Sequence, residues 1–239
     1  MAFLTGKTAV VTGGTRGIGR AVARALAMEG ANVAICGRDE KSTLQAVNEL
    51  VAETQAQVVG TAVDVRDREA VRRLFALVDT HFGGPDIVVN NAGVGVFKPL
   101  VELTVEDFNL VVETNLTGVF HCSQEAVARF RARGGGYLIQ MGSLAGKNPF
   151  AQGAAYNASK FGLNGFSEAV MLDHRYDKVR VSTICPGSVD TDFTLRSGKR
   201  SDWKIAPEDI AEIVLSLLRM PARTLVSYVE VRPSRPVKG

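Results

Sequence analysis

Short apolar runs alternate with longer stretches of mixed apolar and polar residues along the whole chain. Seven of the runs read as strands, near 7–12, 32–36, 57–63, 86–90, 136–142, 179–185 and 226–231. The first of them, Lys7-Thr8-Ala9-Val10-Val11-Thr12, is apolar and β-branched almost throughout, as a strand covered on both faces must be. The stretches between the runs read as helices. Arg20 to Met28, rich in Ala, Leu and Arg, is the first of these. Regular alternation of strand and helix predicts a parallel sheet joined by right-handed crossovers. The expected fold is therefore α/β: one Rossmann-type, doubly wound parallel sheet of about seven strands with helices on both faces, spanning residues 1–239 as a single domain. Thr104 with Asp107 reads as a capping box opening a long fourth helix, and Pro207 with Glu208 and Asp209 opens the last helix. The long fourth and fifth helices carry apolar residues beyond a single stripe. The chain shows no linker, repeat or low-complexity tract.

Between the first strand and the first helix lies Gly13-Gly14-Thr15-Arg16-Gly17-Ile18-Gly19. Strand, glycine turn and helix is the context of a nucleotide-phosphate loop. Glycines permit positive φ and close backbone approach. The helix N-terminus offers unpaired N–H groups and a partial positive charge to a pyrophosphate. The spacing G-x-x-x-G-x-G differs from the commoner G-x-G-x-x-G, and an ordinary βα turn is the competing reading.

Composition narrows the class. With 46% hydrophobic and 22% charged residues the chain is an ordinary globule, long enough for a substantial core. A net charge of +3 gives no argument for nucleic acid. No apolar run reaches a membrane span and no signal-peptide pattern is present, so a cytoplasmic location is expected. Cys36, Cys122 and Cys185 read as reduced core residues. His81, His121 and His174 do not cluster, so no metal is expected.

The most telling chemistry is Tyr156-Asn157-Ala158-Ser159-Lys160. Three intervening residues place the phenol and the ammonium on one helix face, about a turn apart. An adjacent ammonium favours the phenolate and lowers the phenol pKa, so the pair could exchange a proton with an alcohol or a carbonyl oxygen. Such a pair alone is more often a solvated helix face. Ser143 lies thirteen residues earlier, at the end of the strand Tyr137 to Met141, where an open α/β sheet places its site.

Taken together, these segments resemble the short-chain dehydrogenase/reductase family over nearly all of the chain. The resemblance rests on the run from Thr12 to Gly19, Asn90-Asn91-Ala92-Gly93, Asn115, Ser143, Tyr156 with Lys160, and Pro186 to Thr191. It implies that Tyr156 is the general acid/base, Lys160 the group that lowers its pKa and binds the nicotinamide ribose, Ser143 the holder of the substrate oxygen, and Asn115 the anchor of a water relay to Lys160. For the cofactor it implies contacts from Gly13, Thr15, Arg16, Gly17, Ile18 and Gly19, from Asp64 and Val65 at the adenine, from Asn90, Ala92 and Gly93 along the adenosine, and from Pro186, Gly187, Val189 and Thr191 at the nicotinamide. Asp64 reads almost as well as the N-cap of the following helix.

The resemblance implies a nicotinamide cofactor, and NADP(H) is the expected one. Where the family places its NAD-selecting acid, at the end of the second strand, this chain has Gly37, followed by Arg38. Arg16 and Arg38 together suit a 2′-phosphate, and Asp39 reads as a helix N-cap. The expected activity is reduction of a carbonyl to an alcohol, with a β-ketoacyl thioester as first substrate and steroids, sugars or small xenobiotic ketones as the alternative. A non-catalytic NADP redox sensor is the rival of another class. The segment 188–206 is the expected substrate lid. There Phe193, Leu195 and Trp203 would face Phe97, Leu144 and Phe150, and Arg196, Lys199, Arg200 and Lys204 would add positive charge. The fourth and fifth helices suggest a homodimer or homotetramer, although the C-terminus lacks the family's Val-Asp-Gly-Gly ending. No nucleic-acid or membrane partner is expected.

Overall fold

The computed structural model describes residues 2–191, 193 and 202–236. Seven parallel strands form one sheet: β1 (Thr8–Thr12), β2 (Asn32–Gly37), β3 (Val58–Ala62), β4 (Ile87–Asn90), β5 (Gly136–Met141), β6 (Val179–Pro186) and β7 (Tyr228–Val231). Their order is β3-β2-β1-β4-β5-β6-β7. The order reverses between β1 and β4, which opens a crevice at the carboxyl ends of those two strands. The helices are α1 (Gly17–Met28), α2 (Glu40–Thr54), α3 (Arg68–Phe82), α4 (Val105–Val112), α5 (Gly118–Arg133), α6 (Ala154–His174) and α7 (Pro207–Arg219).

The strand pleat divides the core in two. Ala9 and Val11, Val33 and Ile35, Ile87 and Val89, and Tyr137 and Ile139 pack beneath Val22 and Leu26 of α1, Leu50 of α2 and Ile210 and Val214 of α7. Val10, Ala34, Val88 and Leu138 face the other way, onto Val71, Leu74 and Phe75 of α3 and Ala126 and Phe130 of α5. Successive strand residues point to opposite faces, so strands buried on both sides have to be apolar throughout. That is why the runs in the sequence were nearly continuous.

Three details differ from expectation. Helix α1 begins at Gly17, so Gly17, Ile18 and Gly19 form its first turn rather than a loop ahead of it. The long fourth helix is interrupted by a π-helical turn at Glu113–Thr117 that separates α4 from α5; its start is as read, with Thr104 and Asp107 in a capping box. Asp64 does not cap α3. Asp67 does, through Glu69 and Ala70 N–H groups, while Asp64 pairs with Arg66 at 2.6 Å. Asp39 caps α2 by accepting from the Ser42 N–H.

Candidate active site

A single cleft of about 1310 Å³ runs along the carboxyl edge of the sheet. At one end are Thr15, Arg16, Arg38 and Ser42; at the other are Ser143, Tyr156, Lys160, Phe193 and Trp203.

Its floor depends on close backbone contacts. The Thr12 hydroxyl accepts from the N–H groups of Asn91 and Ala92, both at 3.0 Å. The Asn91 amide in turn donates to the carbonyls of Thr12 and Gly13 at 3.0 and 3.1 Å. These bonds clamp the turn after β1 to the turn after β4. Gly13 has φ of +64°, and a Cβ there would sit 3.0 Å from Ala92 Cα. A Cβ on Gly19 would lie 2.2 Å from the Gly13 carbonyl oxygen. Among the described residues no side chain caps α1, and its first turn carries no acid. Its leading N–H groups are thus available to an anion. Such a cradle, with two guanidiniums beside it, fits a nicotinamide dinucleotide. Gly37 is pressed against Thr15: a Cβ would come within 2.6 Å of Thr15 Cγ2. A side chain there would require Thr15 to shift.

At the other end, Ser143 sits where β5 gives way to a short 3-10 turn, and its hydroxyl accepts from the Ala145 N–H at 3.1 Å. Tyr156 and Lys160 project from α6. Lys160 is buried and donates to the Met141 carbonyl at 2.8 Å; its ammonium lies 5.8 Å from the centre of the Tyr156 ring. Asn115, fully buried in the π turn, accepts from the Val94 N–H at 2.8 Å and donates to the Val94 carbonyl at 2.9 Å. It also donates to Ser159 Oγ at 3.0 Å. The Ser159 hydroxyl donates to the Tyr156 carbonyl. Asn115 therefore ties the turn after β4 to the backbone that carries Tyr156.

The family model for short chain dehydrogenase matches residues 7–202. The chain belongs to the short-chain dehydrogenase family. An uncharacterized oxidoreductase of Staphylococcus aureus is 34% identical over 233 residues, covering 98% of this chain and 100% of that one. An alcohol dehydrogenase from the archaeon Thermococcus sibiricus, solved with 5-hydroxy-NADP, superposes with a TM-score of 0.90 at 32% identity, covering 97% and 99% of the two chains. The L-sorbose reductase of Gluconobacter frateurii, solved with NADPH and L-sorbose, gives 0.89 at 28% identity, covering 98% of each.

In this short-chain dehydrogenase, most of the expected site residues line the cleft: Gly13, Thr15, Arg16, Gly17, Ile18, Arg38, Asp64, Val65, Ala92, Gly93, Ser143, Tyr156, Lys160, Pro186, Gly187, Val189 and Thr191. Asn90, Gly19 and Asn115 do not. Asn90 is buried beneath the floor, donating to Ser123 and Gln140, and so braces β4 against β5 and α5. Gly19 acts by leaving room, and Asn115 lies behind the wall with its amide committed to Val94 and Ser159. Residues the sequence reading missed include Asn91, whose amide holds the Gly13 carbonyl, and the tail residues Arg232, Pro233 and Pro236. Nothing in the local pattern signals that the C-terminus folds back onto the cleft; the pairing of β7 with β6 brings it there. Of the lid, Leu195, Arg196, Lys199 and Arg200 lie outside the described residues. Lys204, Trp203 and Phe193 line the cleft, as do Phe97, Leu144 and Phe150.

The expected effect of Lys160 on Tyr156 is not what dominates. Burial raises the Tyr156 pKa, the facing Ser143 hydroxyl lowers it in part, and the Cys185 thiol adds a small upward push. Burial also lowers Lys160 from 10.5 to about 8, offset a little by Cys185. Burial thus shifts both groups toward their neutral forms. For Lys160 this has a sign. Below about pH 8 both folded and unfolded chains carry the ammonium, and the fold bears the full cost of burying it. Between about 8 and 10.5 only the unfolded chain keeps the proton, so stability rises with pH. Lys160→Met is expected to raise the Tm of the cofactor-free protein at pH 7 and to raise it less at pH 10. Thermal unfolding at the two pH values checks this, and an equal shift at both would refute it.

All three cysteines are buried and free. Among the described residues no cluster of metal ligands is found, and no helix is long and apolar enough to cross a membrane.

Proposed function

We propose that this oxidoreductase uses NADPH to reduce a carbonyl to an alcohol. One observation carries the reading: a single cleft joins a phosphate cradle with Arg16 and Arg38 at one end to Ser143, Tyr156 and Lys160 at the other. The solved relatives with NADP or NADPH bound support the same cofactor. Gly13, Arg16, Gly17 and Ile18 would hold its pyrophosphate, Arg16 and Arg38 its 2′-phosphate, Asp64 and Val65 its adenine, and Pro186, Gly187, Val189 and Thr191 its nicotinamide. When bound, the nicotinamide supplies a hydride to the carbonyl carbon.

The chain's own groups do the rest. Ser143 donates a hydrogen bond to the substrate oxygen and steadies the charge that develops there. Tyr156, neutral because burial raises its pKa, donates the proton. Lys160, with a pKa near 8, stands close enough to neutrality to pass a proton inward again. Asn115 fixes the geometry of Tyr156 through Ser159. Its side-chain amide is held by Val94 and Ser159, which supports a positioning role beside the anchoring of a water relay to Lys160.

Two substrate classes follow from the walls. Lys204 at the mouth supports a β-ketoacyl thioester, and the apolar lining supports a compact ketone. The exposed Phe120, Phe161 and Leu172 on α5 and α6 support a homodimer or homotetramer, and we place the enzyme in the cytoplasm.

The test is NADPH oxidation with a panel of ketones and an acetoacetyl thioester, alongside NADPH binding. Binding without reduction of any carbonyl would instead favour a redox sensor. Arg38→Asp is expected to raise the Kd for NADPH about 10- to 100-fold, since a charged hydrogen bond contributes about 1.5–3 kcal/mol. An unchanged Kd would remove Arg38 from the phosphate site.

A further inference from the structure

The walls around Tyr156 are aromatic on several sides. The Phe97 ring centre is 5.6 Å from that of Tyr156, in an edge-on arrangement of 74°. Phe193 approaches from the lid at 5.8 Å and 51°. Phe150 is tilted at 47° and 6.4 Å from Tyr156, and stands 5.6 Å from Phe97. These rings come from three separate segments: the turn after β4, the connection into α6, and the lid. Gly95 leaves room for two of them. A Cβ at that position would lie 2.6 Å from Phe97 Cζ and 3.2 Å from Phe193 Cε1. Leu144 and Trp203 continue the apolar lining outward.

These rings meet Tyr156 at 47–74° and line the cleft beside it, so a substrate there finds both ring faces and ring edges. A planar ring gains from both, whereas a flexible alkyl chain gains area alone. This aromatic wall shares the cleft with Tyr156 and Ser143, so a ring packed on it lies next to the carbonyl being reduced. Arg232 at the cleft, and Lys147 near it, are already paired with a carboxylate. Both bind Glu230, at 2.9 and 2.5 Å, and it offsets their charge.

Resting on the reductase reading above, we infer that the preferred substrate is an aryl ketone, with a flat ring attached directly to the carbonyl carbon. The aromatic wall of Phe97, Phe150 and Phe193 is its specificity determinant.

The experiment compares kcat/KM with NADPH for acetophenone, for the open-chain 2-octanone and for an acetoacetyl N-acetylcysteamine thioester. Acetophenone should exceed both others about tenfold or more. Phe97→Leu and Phe150→Leu keep an apolar side chain of similar reach. Each should lower the ratio of acetophenone to 2-octanone kcat/KM about two- to tenfold, since an aromatic pair contributes about 0.5–1.5 kcal/mol beyond buried area. NADPH affinity, read by fluorescence titration, should not change. Preference for the thioester or for 2-octanone would overturn the inference while leaving the reductase reading intact. So would a Phe→Leu effect equal on both ketones. NADPH binding with no carbonyl reduced at all would overturn both readings together.

Discussion

Tyr156→Phe should lower kcat for carbonyl reduction by about 10²- to 10⁴-fold, the range that a positioned proton donor contributes. The Kd for NADPH should change little. Phenylalanine keeps the ring, and the ring is what packs against Phe97, Phe150 and Phe193. Only the hydroxyl is lost, so a fall in turnover would report proton transfer and not collapse of the wall. The same hydroxyl sets a pH signature in the wild-type protein. Its pKa is raised by burial, so the neutral, proton-donating form prevails below that value. Reduction should be sustained at neutral pH and weaken only in alkali. Alcohol oxidation needs the phenolate and should climb as pH rises. Rates in both directions across pH, for wild type and variant, check the assignment. Turnover in Tyr156→Phe within about fivefold of wild type would remove Tyr156 from the chemistry.

Gly19→Ala should lower Tm by about 2–12 °C and abolish measurable NADPH binding. The added methyl would lie 2.2 Å from the Gly13 carbonyl oxygen and 2.4 Å from Asn91 Nδ2. Neither neighbour can yield cheaply. The first is backbone, and the second is the amide that clamps the Thr12 and Gly13 carbonyls. Overpacking of this kind costs about 1–3 kcal/mol, and each kcal/mol shifts Tm by about 2–4 °C at this chain length. Forcing α1 away from the turn after β4 also reshapes the phosphate cradle. Gly165→Ala is the control. It lies on α6 with nothing within 4 Å of the added methyl, and should hold or raise Tm, because alanine is the better helix former. Equal Tm for the two variants would show that the close approach at Gly19 carries no cost.

The fold was legible because a doubly covered parallel sheet leaves a strong trace. Strands such as Val10, Val88 and Leu138 with their neighbours must be apolar on both faces, and the helices between them must not be. The cleft was legible where a residue's type matters directly, as at Arg16, Arg38, Ser143, Tyr156 and Lys160. It was not legible where the effect depends on what lies beyond the sequence neighbourhood. Asn90 looks like its neighbour Asn91, yet the pleat turns one into the core and the other onto the floor of the site. The spacing of Tyr156 and Lys160 shows an ammonium near the phenol but not their burial, which raises the Tyr156 pKa and lowers that of Lys160. The π turn at Glu113–Thr117 has no signature beyond an asparagine in a poor position for a helix.

Gly37 and Thr15 bear on how such a cleft could change over time. An acid at the end of β2 would have to enter space that the Thr15 methyl already fills. Thr15 would have to turn aside or shrink for an acid to enter, so packing ties the residue at the end of β2 to one in the glycine turn, and the two positions would have to change together.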